Sequence, residues 1–152
     1  MRHALRLTAP ILVVAALAAA AATASAQSGA GPMWASVNIC NGTQAGMRAS
    51  MAGDGSDAEM QVRFTAQYYN HEQDAWLSVA GAATSPWLPA GSARYEWGQA
   101  GWTFNFNPPA PGTSFVIRGL AEMQWVKGGQ LVRSASQVTS AAAGQASCLF
   151  QG

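Results

Sequence analysis

The sequence predicts an all-β fold: an antiparallel two-sheet sandwich of roughly seven to nine strands, held by one disulfide. Three observations lead there. Short apolar runs recur with a period of two between turn residues, the pattern of antiparallel sheet with one buried face. Two cysteines, Cys40 and Cys148, stand near opposite ends of a chain that opens with an export-type segment. No stretch of comparable length fits a helical stripe better, and the alanine run at 141–143 is short and abuts Gly144. Strands at this spacing close into a sandwich or a barrel, and the sandwich is the expected architecture.

Residues 1–26 read as a signal peptide. "MRHALR" is a basic head, "LTAPILVVAALAAAAATA" is apolar, and Ala24, Ser25 and Ala26 supply small side chains for cleavage before Gln27. The apolar run 9–22 is shorter than the about 20 residues needed to cross a hydrocarbon core of ~30 Å, so no membrane insertion is expected after cleavage. The expected location is secreted, periplasmic or at the cell envelope. Residues 27–33 form a flexible lead-in and residues 34–150 a single β-sandwich domain. In an exported protein an isolated pair of cysteines reads as one disulfide, here Cys40–Cys148.

The strands follow in order. In "VNICNGTQAGMRASM" a loop with an odd number of residues sets Val37 opposite Met47 and Ala35 opposite Ala49, keeping apolar residues on one face. The expected loop is Asn41 to Thr43, with a glycine-assisted bulge. "GDGSD" (53–57) is a polar loop. In "EMQVRFTAQYY", Met60, Val62, Phe64, Ala66 and Tyr68 alternate with polar residues. "NHEQD" (70–74) joins this strand to "AWLSV" and brings Trp76 near Tyr68. "ARYEW" and "WTFNF" alternate in the same way, placing Ala93, Tyr95, Trp97, Trp102, Phe104 and Phe106 on core faces. "NPPAPG" (107–112) is excluded from a central strand, because proline lacks the ladder donor.

The last ribbon runs from Ser114 to Val138 around Gly128-Gly129, a pair suited to a two-residue turn with positive φ. That register sets Trp125 opposite Val132, Met123 opposite Ser134 and Glu122 opposite Ala135. Its core face carries Phe115, Ile117, Ala121, Met123, Trp125, Val132 and Val138. Its polar face carries Arg118, Glu122, Gln124 and Arg133, with Glu122 diagonal to Arg133.

"VNICNGTQAGMRASM", "RFTAQYYNHEQDAWLSV" and "FNPPAPGTSFVIRGLAEMQW" resemble the strand runs of small exported bacterial proteins with immunoglobulin-like or fibronectin type III-like sandwiches. The resemblance covers nearly all of residues 34–150 and rests on strand rhythm. It implies an immunoglobulin-like sandwich and no catalytic residue to carry over. The chain departs from antibody-type domains, whose cysteines join two central strands around a buried tryptophan. Here the pair ties the first strand to the C-terminal tail.

Composition excludes several function classes. After cleavage six basic residues (Arg48, Arg63, Arg94, Arg118, Lys127, Arg133) face seven acidic ones (Asp54, Asp57, Glu59, Glu72, Asp74, Glu96, Glu122), with no block of one sign. A nucleic-acid footprint needs clustered positive charge, and a membrane-surface helix needs a basic amphipathic stretch. Neither is present.

Chemistry is equally sparse. His71 is the one histidine after cleavage, it sits among charges, and no GxSxG occurs. "HEQD" (His71, Glu72, Asp74) falls short of the three or four protein ligands of a zinc site. "DGSDAE" (Asp54, Asp57, Glu59) lacks the EF-hand pattern. Met47, Met51 and Met60 sit at strand spacing and read as core. No cofactor, metal or catalytic residue is expected, and seven acids pair in too many ways for carboxylate spacing to inform.

The expectation is therefore a non-enzymatic domain with a binding or structural role at the envelope or outside the cell, its partner a protein or a glycan. The alternative is a carbohydrate-binding module using exposed aromatics. Six tryptophans follow the cleavage point: Trp34, Trp76, Trp87, Trp97, Trp102 and Trp125. Exposed indoles can stack on sugars or anchor a partner. Parity puts Trp76, Trp97, Trp102 and Trp125 on core faces and leaves Trp87, in "SPWLP", in a loop. Tyr69, Leu77 and Val79 fall on the face opposite Tyr68 and Trp76, as a small apolar strip. Trp87, Tyr69, Leu77 and Val79 are the candidate contact residues.

Overall fold

A computed structural model describes residues 33–81 and 83–152. The signal peptide, and all of the lead-in except Met33, lie outside the described residues. The described residues form nine antiparallel strands: β1 (Trp34–Cys40), β2 (Gln44–Ala52), β3 (Glu59–Asn70), β4 (Ala75–Ser78), β5 (Leu88–Ser92), β6 (Trp97–Asn105), β7 (Ser114–Lys127), β8 (Gln130–Val138) and β9 (Cys148–Gln151). They form two sheets. One has the order β1-β2-β6; in the other β3 and β7 pair centrally, with β4 and β5 sharing the outer edge of β3, and β8 and β9 that of β7.

The period-two runs become the two inner faces. Met60, Val62, Phe64 and Ala66 on β3, and Ile117, Ala121, Met123 and Trp125 on β7, are buried against Val37, Met47, Ala49 and Met51 of the smaller sheet. Gly119 marks a close approach of the layers, since a Cβ there would lie 2.4 Å from Met47 Sδ. The Trp125 indole N–H donates to the Ala52 carbonyl at 3.1 Å, so the largest core side chain also bonds one sheet to the other. Cys40 on β1 and Cys148 on β9 form a disulfide with Cα atoms 5.4 Å apart, a second tie between the layers.

In the first hairpin Val37 does face Met47 and Ala35 faces Ala49. The odd residue behind this parity is Asn38, a bulge inside β1, and not the loop: next to the turn, Cys40 pairs with Ala45 and Ile39 with Gly46. The bulge turns Cys40 toward the inner face, where Cys148 waits.

Other expectations need correction. "ARYEW" is not a strand. Residues 93–96 form the turn between β5 and β6, because the loop after β2 uses their carbonyls: Asp54 and Gly55 N–H donate to Ala93, and Gly53 N–H to Glu96. Tyr95 and Trp97 are consequently exposed, at 71% and 55%. Trp102 keeps the predicted parity, opposite buried Met47, but remains partly exposed because β6 is an edge strand.

The β7–β8 ribbon also differs. Gly128 and Gly129 both have positive φ, as the two-residue turn requires, and Lys127 pairs with Gln130. Val132 is then an extra, bulged residue, so Trp125 faces Arg133, Met123 faces Ala135, and Glu122 faces Ser136. Val132 and Val138 leave the core face for solvent. Arg133 instead lays its guanidinium over the Trp125 ring, 4.2 Å from the centroid.

Candidate functional site

The outward face of the larger sheet carries an ordered set of polar and aromatic side chains. β3 contributes Gln61, Arg63, Thr65 and Gln67; β7 contributes, directly opposite, Gln124, Glu122, Leu120 and Arg118. Gln124 Nε2 donates to Gln61 Oε1 at 2.7 Å. Arg63 forks onto Glu122, with Nε 3.0 Å from Oε2 and Nη2 3.1 Å from Oε1. Both partners are over a third exposed, so the pair adds little to stability, but the fork fixes both planar groups in one orientation. Glu122 is therefore paired with Arg63 across the strands and not with Arg133, whose side chain lies against Trp125.

Trp87 reaches over this pair from the segment preceding β5. The Arg63 guanidinium lies 4.7 Å from its ring centroid, and the residue is 36% exposed. Beside it opens a shallow depression of about 390 Å³, with Trp87 and Leu131 among its lining and Glu122, Gln124, Ser134 and Ser136 supplying polar groups from β7 and β8. Ser134 faces outward opposite Gln124, and Ser136 opposite Glu122. One aromatic wall, one aliphatic wall and a base of hydroxyls, amide and carboxylate make a site that can both stack and hydrogen-bond. Glu122 keeps a second lone pair on each oxygen, and each serine can donate and accept.

A related arrangement occurs farther along the same face. Trp76 of β4 covers Arg118, whose guanidinium is 4.3 Å from the ring centroid and whose Nε donates to Gln67 Oε1 at 2.9 Å. Burial pushes the Arg118 pKa below the ordinary arginine value.

The predicted contact residues divide. Trp87 lies in a loop, as its flanking prolines imply, and forms part of the depression. Tyr69, Leu77 and Val79 do not form one strip. The four-residue turn 71–74 pairs Tyr69 with Trp76 and Tyr68 with Leu77, so Tyr69 joins Trp76 on the outer face (ring centroids 5.3 Å apart) and Leu77 goes with Tyr68. The Tyr69 hydroxyl donates to Asp74, which raises its pKa. Val79 lines a separate apolar groove of about 300 Å³ with Tyr68, Phe106, Phe115 and Ile117.

The remaining singled-out groups are dispersed. Asp54 accepts from the Ser56 N–H, Asp57 pairs with Lys127 at 2.7 Å, and His71 packs edge-on against Tyr69 in an exposed turn. Among the described residues no three histidine, cysteine or carboxylate side chains gather as metal ligands.

Sequence reasoning missed Arg63, Glu122, Gln124, Ser134, Ser136 and Leu131 as a group. Outward parity on β3 and β7 flagged Arg63, Glu122 and Gln124 as surface residues. Their convergence depends on pairing strands whose partners lie 59 positions apart.

No family model and no curated protein matches the chain. Among solved structures it is similar to one titled "Crystal structure of putative beta-galactosidase from bacteroides fragilis", with a TM-score of 0.35 and 10% identity, covering 70% of this chain and 15% of the other. The chain thus spans a small part of that protein's length, and the similarity is too slight to bear on what this chain does.

Proposed function

We propose that this chain is an exported, non-catalytic binding module whose ligand is a carbohydrate held in the Trp87 depression. The observation that carries the reading is the composition of that depression: an indole wall, and beneath it hydroxyl, amide and carboxylate groups. A pyranose presents the complementary surface, an apolar ring face and a rim of hydroxyls. The fork between Arg63 and Glu122 and the bond between Gln61 and Gln124 hold the polar groups on two central strands, so binding would order few side chains.

The dispersal of the acids and His71 into turns and surface pairs supports a non-catalytic role. The Cys40–Cys148 bond and the basic-apolar-small N-terminal pattern support export to an oxidising compartment.

A glycan array followed by calorimetric titration tests the proposal. Binding is expected, and Trp87→Ala is expected to weaken it at least ten-fold with an unchanged melting temperature. Undiminished binding by the folded Trp87→Ala protein refutes the site. Binding to no glycan at all refutes the ligand class.

A further inference from the structure

We infer that Arg118 is an anion-recognition point on the same face, and that the glycan bound beside Trp87 is acidic, its uronate carboxylate seated on the Arg118 guanidinium. This rests on the carbohydrate reading above and names the ligand class more narrowly.

The face repeats one construction twice. In the first rung Trp87 covers Arg63, and Glu122 neutralises that guanidinium through two hydrogen bonds. In the second rung Trp76 covers Arg118, and among the described residues the one polar side chain bonded to it is an amide, that of Gln67 through Nε. No carboxylate among the described residues pairs with Arg118. A partly buried cation is stabilised by an opposite charge, and here the described residues supply none. Its guanidinium nevertheless stays protonated at neutral pH, because arginine's ordinary pKa lies far above it.

Geometry favours a carboxylate as the missing partner. Trp76 on one side and Gln67 at Nε fix the guanidinium plane, leaving both Nη groups for a planar acceptor. The acids of the turn between β3 and β4 are engaged or turned to solvent: Asp74 accepts from the Tyr69 hydroxyl, and Glu72 is exposed. Arg63 and Gln67 are four positions apart on β3, which separates the rungs by about 13 Å along the strand. A single monosaccharide does not bridge that distance; a short chain with carboxylates along it does.

The test is calorimetric titration with a panel of uronate oligosaccharides and the same oligosaccharides after carboxyl reduction, which keeps the rings and removes the charge. Wild-type protein is expected to bind the best acid form at least ten-fold more tightly than its reduced counterpart, with an advantage that shrinks as salt is raised. Arg118→Gln is expected to lower affinity for the acid form about ten- to a hundred-fold and to leave the reduced form unchanged. Arg118→Lys, which retains charge without the fork, is expected to fall between them. Equal wild-type affinity for the two forms overturns the inference and leaves the Trp87 site standing. Equal loss for both forms in Arg118→Gln overturns it as well, showing that Arg118 only supports the sheet. Binding of neither form also overturns it, and the carbohydrate reading falls too if the glycan array is blank.

Discussion

Replacing both cysteines, Cys40→Ala with Cys148→Ala, should expose how far the fold depends on its covalent tie. The bond joins positions 108 apart. For a loop of that size the chain-entropy relation gives about 5 kcal/mol at 25 °C, and removal of native disulfides from small secreted domains costs about 2–5 kcal/mol. Against a total stability of about 5–15 kcal/mol for a domain, the double variant should fold with a much reduced margin. The native side of the balance should change little. β9 remains paired to β7 from Ser114–Gln151 to Ile117–Cys148, and the Phe150 ring stays stacked on Phe115 at 5.0 Å. The effect therefore belongs to the unfolded chain, which gains freedom and exposes more surface. Guanidinium unfolding followed by tryptophan fluorescence should show a lower midpoint and a steeper dependence on denaturant in the variant. A coincident midpoint and slope would refute this reasoning, and would mean that strand β9 and its aromatic contacts already hold the tail in both states.

Three further variants probe the packing and the register. Gly119→Ala places a Cβ 2.4 Å from Met47 Sδ and 2.9 Å from Thr139 Cγ2, and should destabilise the protein by about 1–3 kcal/mol in the same unfolding assay; an unchanged midpoint would contradict the close approach of the sheets. Deleting Val132 removes the extra residue of the β8 bulge and keeps every later pair, so the proposed glycan affinity should persist, whereas deleting Ser134 draws Arg133 onto the outer face and should abolish it. For a glycan that the wild-type protein binds, equal affinity of the two deletion variants in calorimetry would count against the bulge.

Local rules were enough for much of the fold. Alternation along Met60 to Ala66 identified β3 and its buried face, the two glycines identified the β7–β8 turn, and opposition of Val37 to Met47 followed from keeping apolar residues together. The failures are non-local. "ARYEW" alternates like a strand, yet its carbonyls serve a loop some forty residues earlier, and no local rule reports that demand. Trp102 has inward parity, but parity says nothing about whether an opposing layer extends far enough to cover it. The pairing of Tyr69 with Trp76 turned on the number of residues in one turn, so a slip of one position reassigned the whole of the expected apolar strip. Of the candidate site, Trp87 was legible because prolines on either side exclude it from a central strand. Its neighbours were legible only as outward residues, since nothing near Arg63 in sequence points to Glu122.

The bulge at Val132 links this register question to the site itself. With Val132 kept and paired to Trp125, the two-residue turn would continue an unbroken ladder, with Arg133 opposite Gln124 and Ala135 opposite Glu122. The outer surface beside Trp87 would then hold a long cation where a small hydroxyl now lies, and a methyl group beside the carboxylate. Leaving Val132 unpaired shifts the register by one and reverses both assignments: Ser134 and Ser136 turn outward, and Arg133 turns inward to cover Trp125. The exchange costs the core a valine, since Val132 ends 57% exposed, and leaves Leu131 outward at 60% exposure near the edge of the depression. A bulge on an edge strand also discourages pairing with another chain, but that purpose alone would be met by a bulge at many positions along β8. Its position ahead of Arg133 leaves Ser134 and Ser136, and not Arg133 and Ala135, on the surface between Trp87 and Leu131, so on the proposed reading the register irregularity also shapes the binding face.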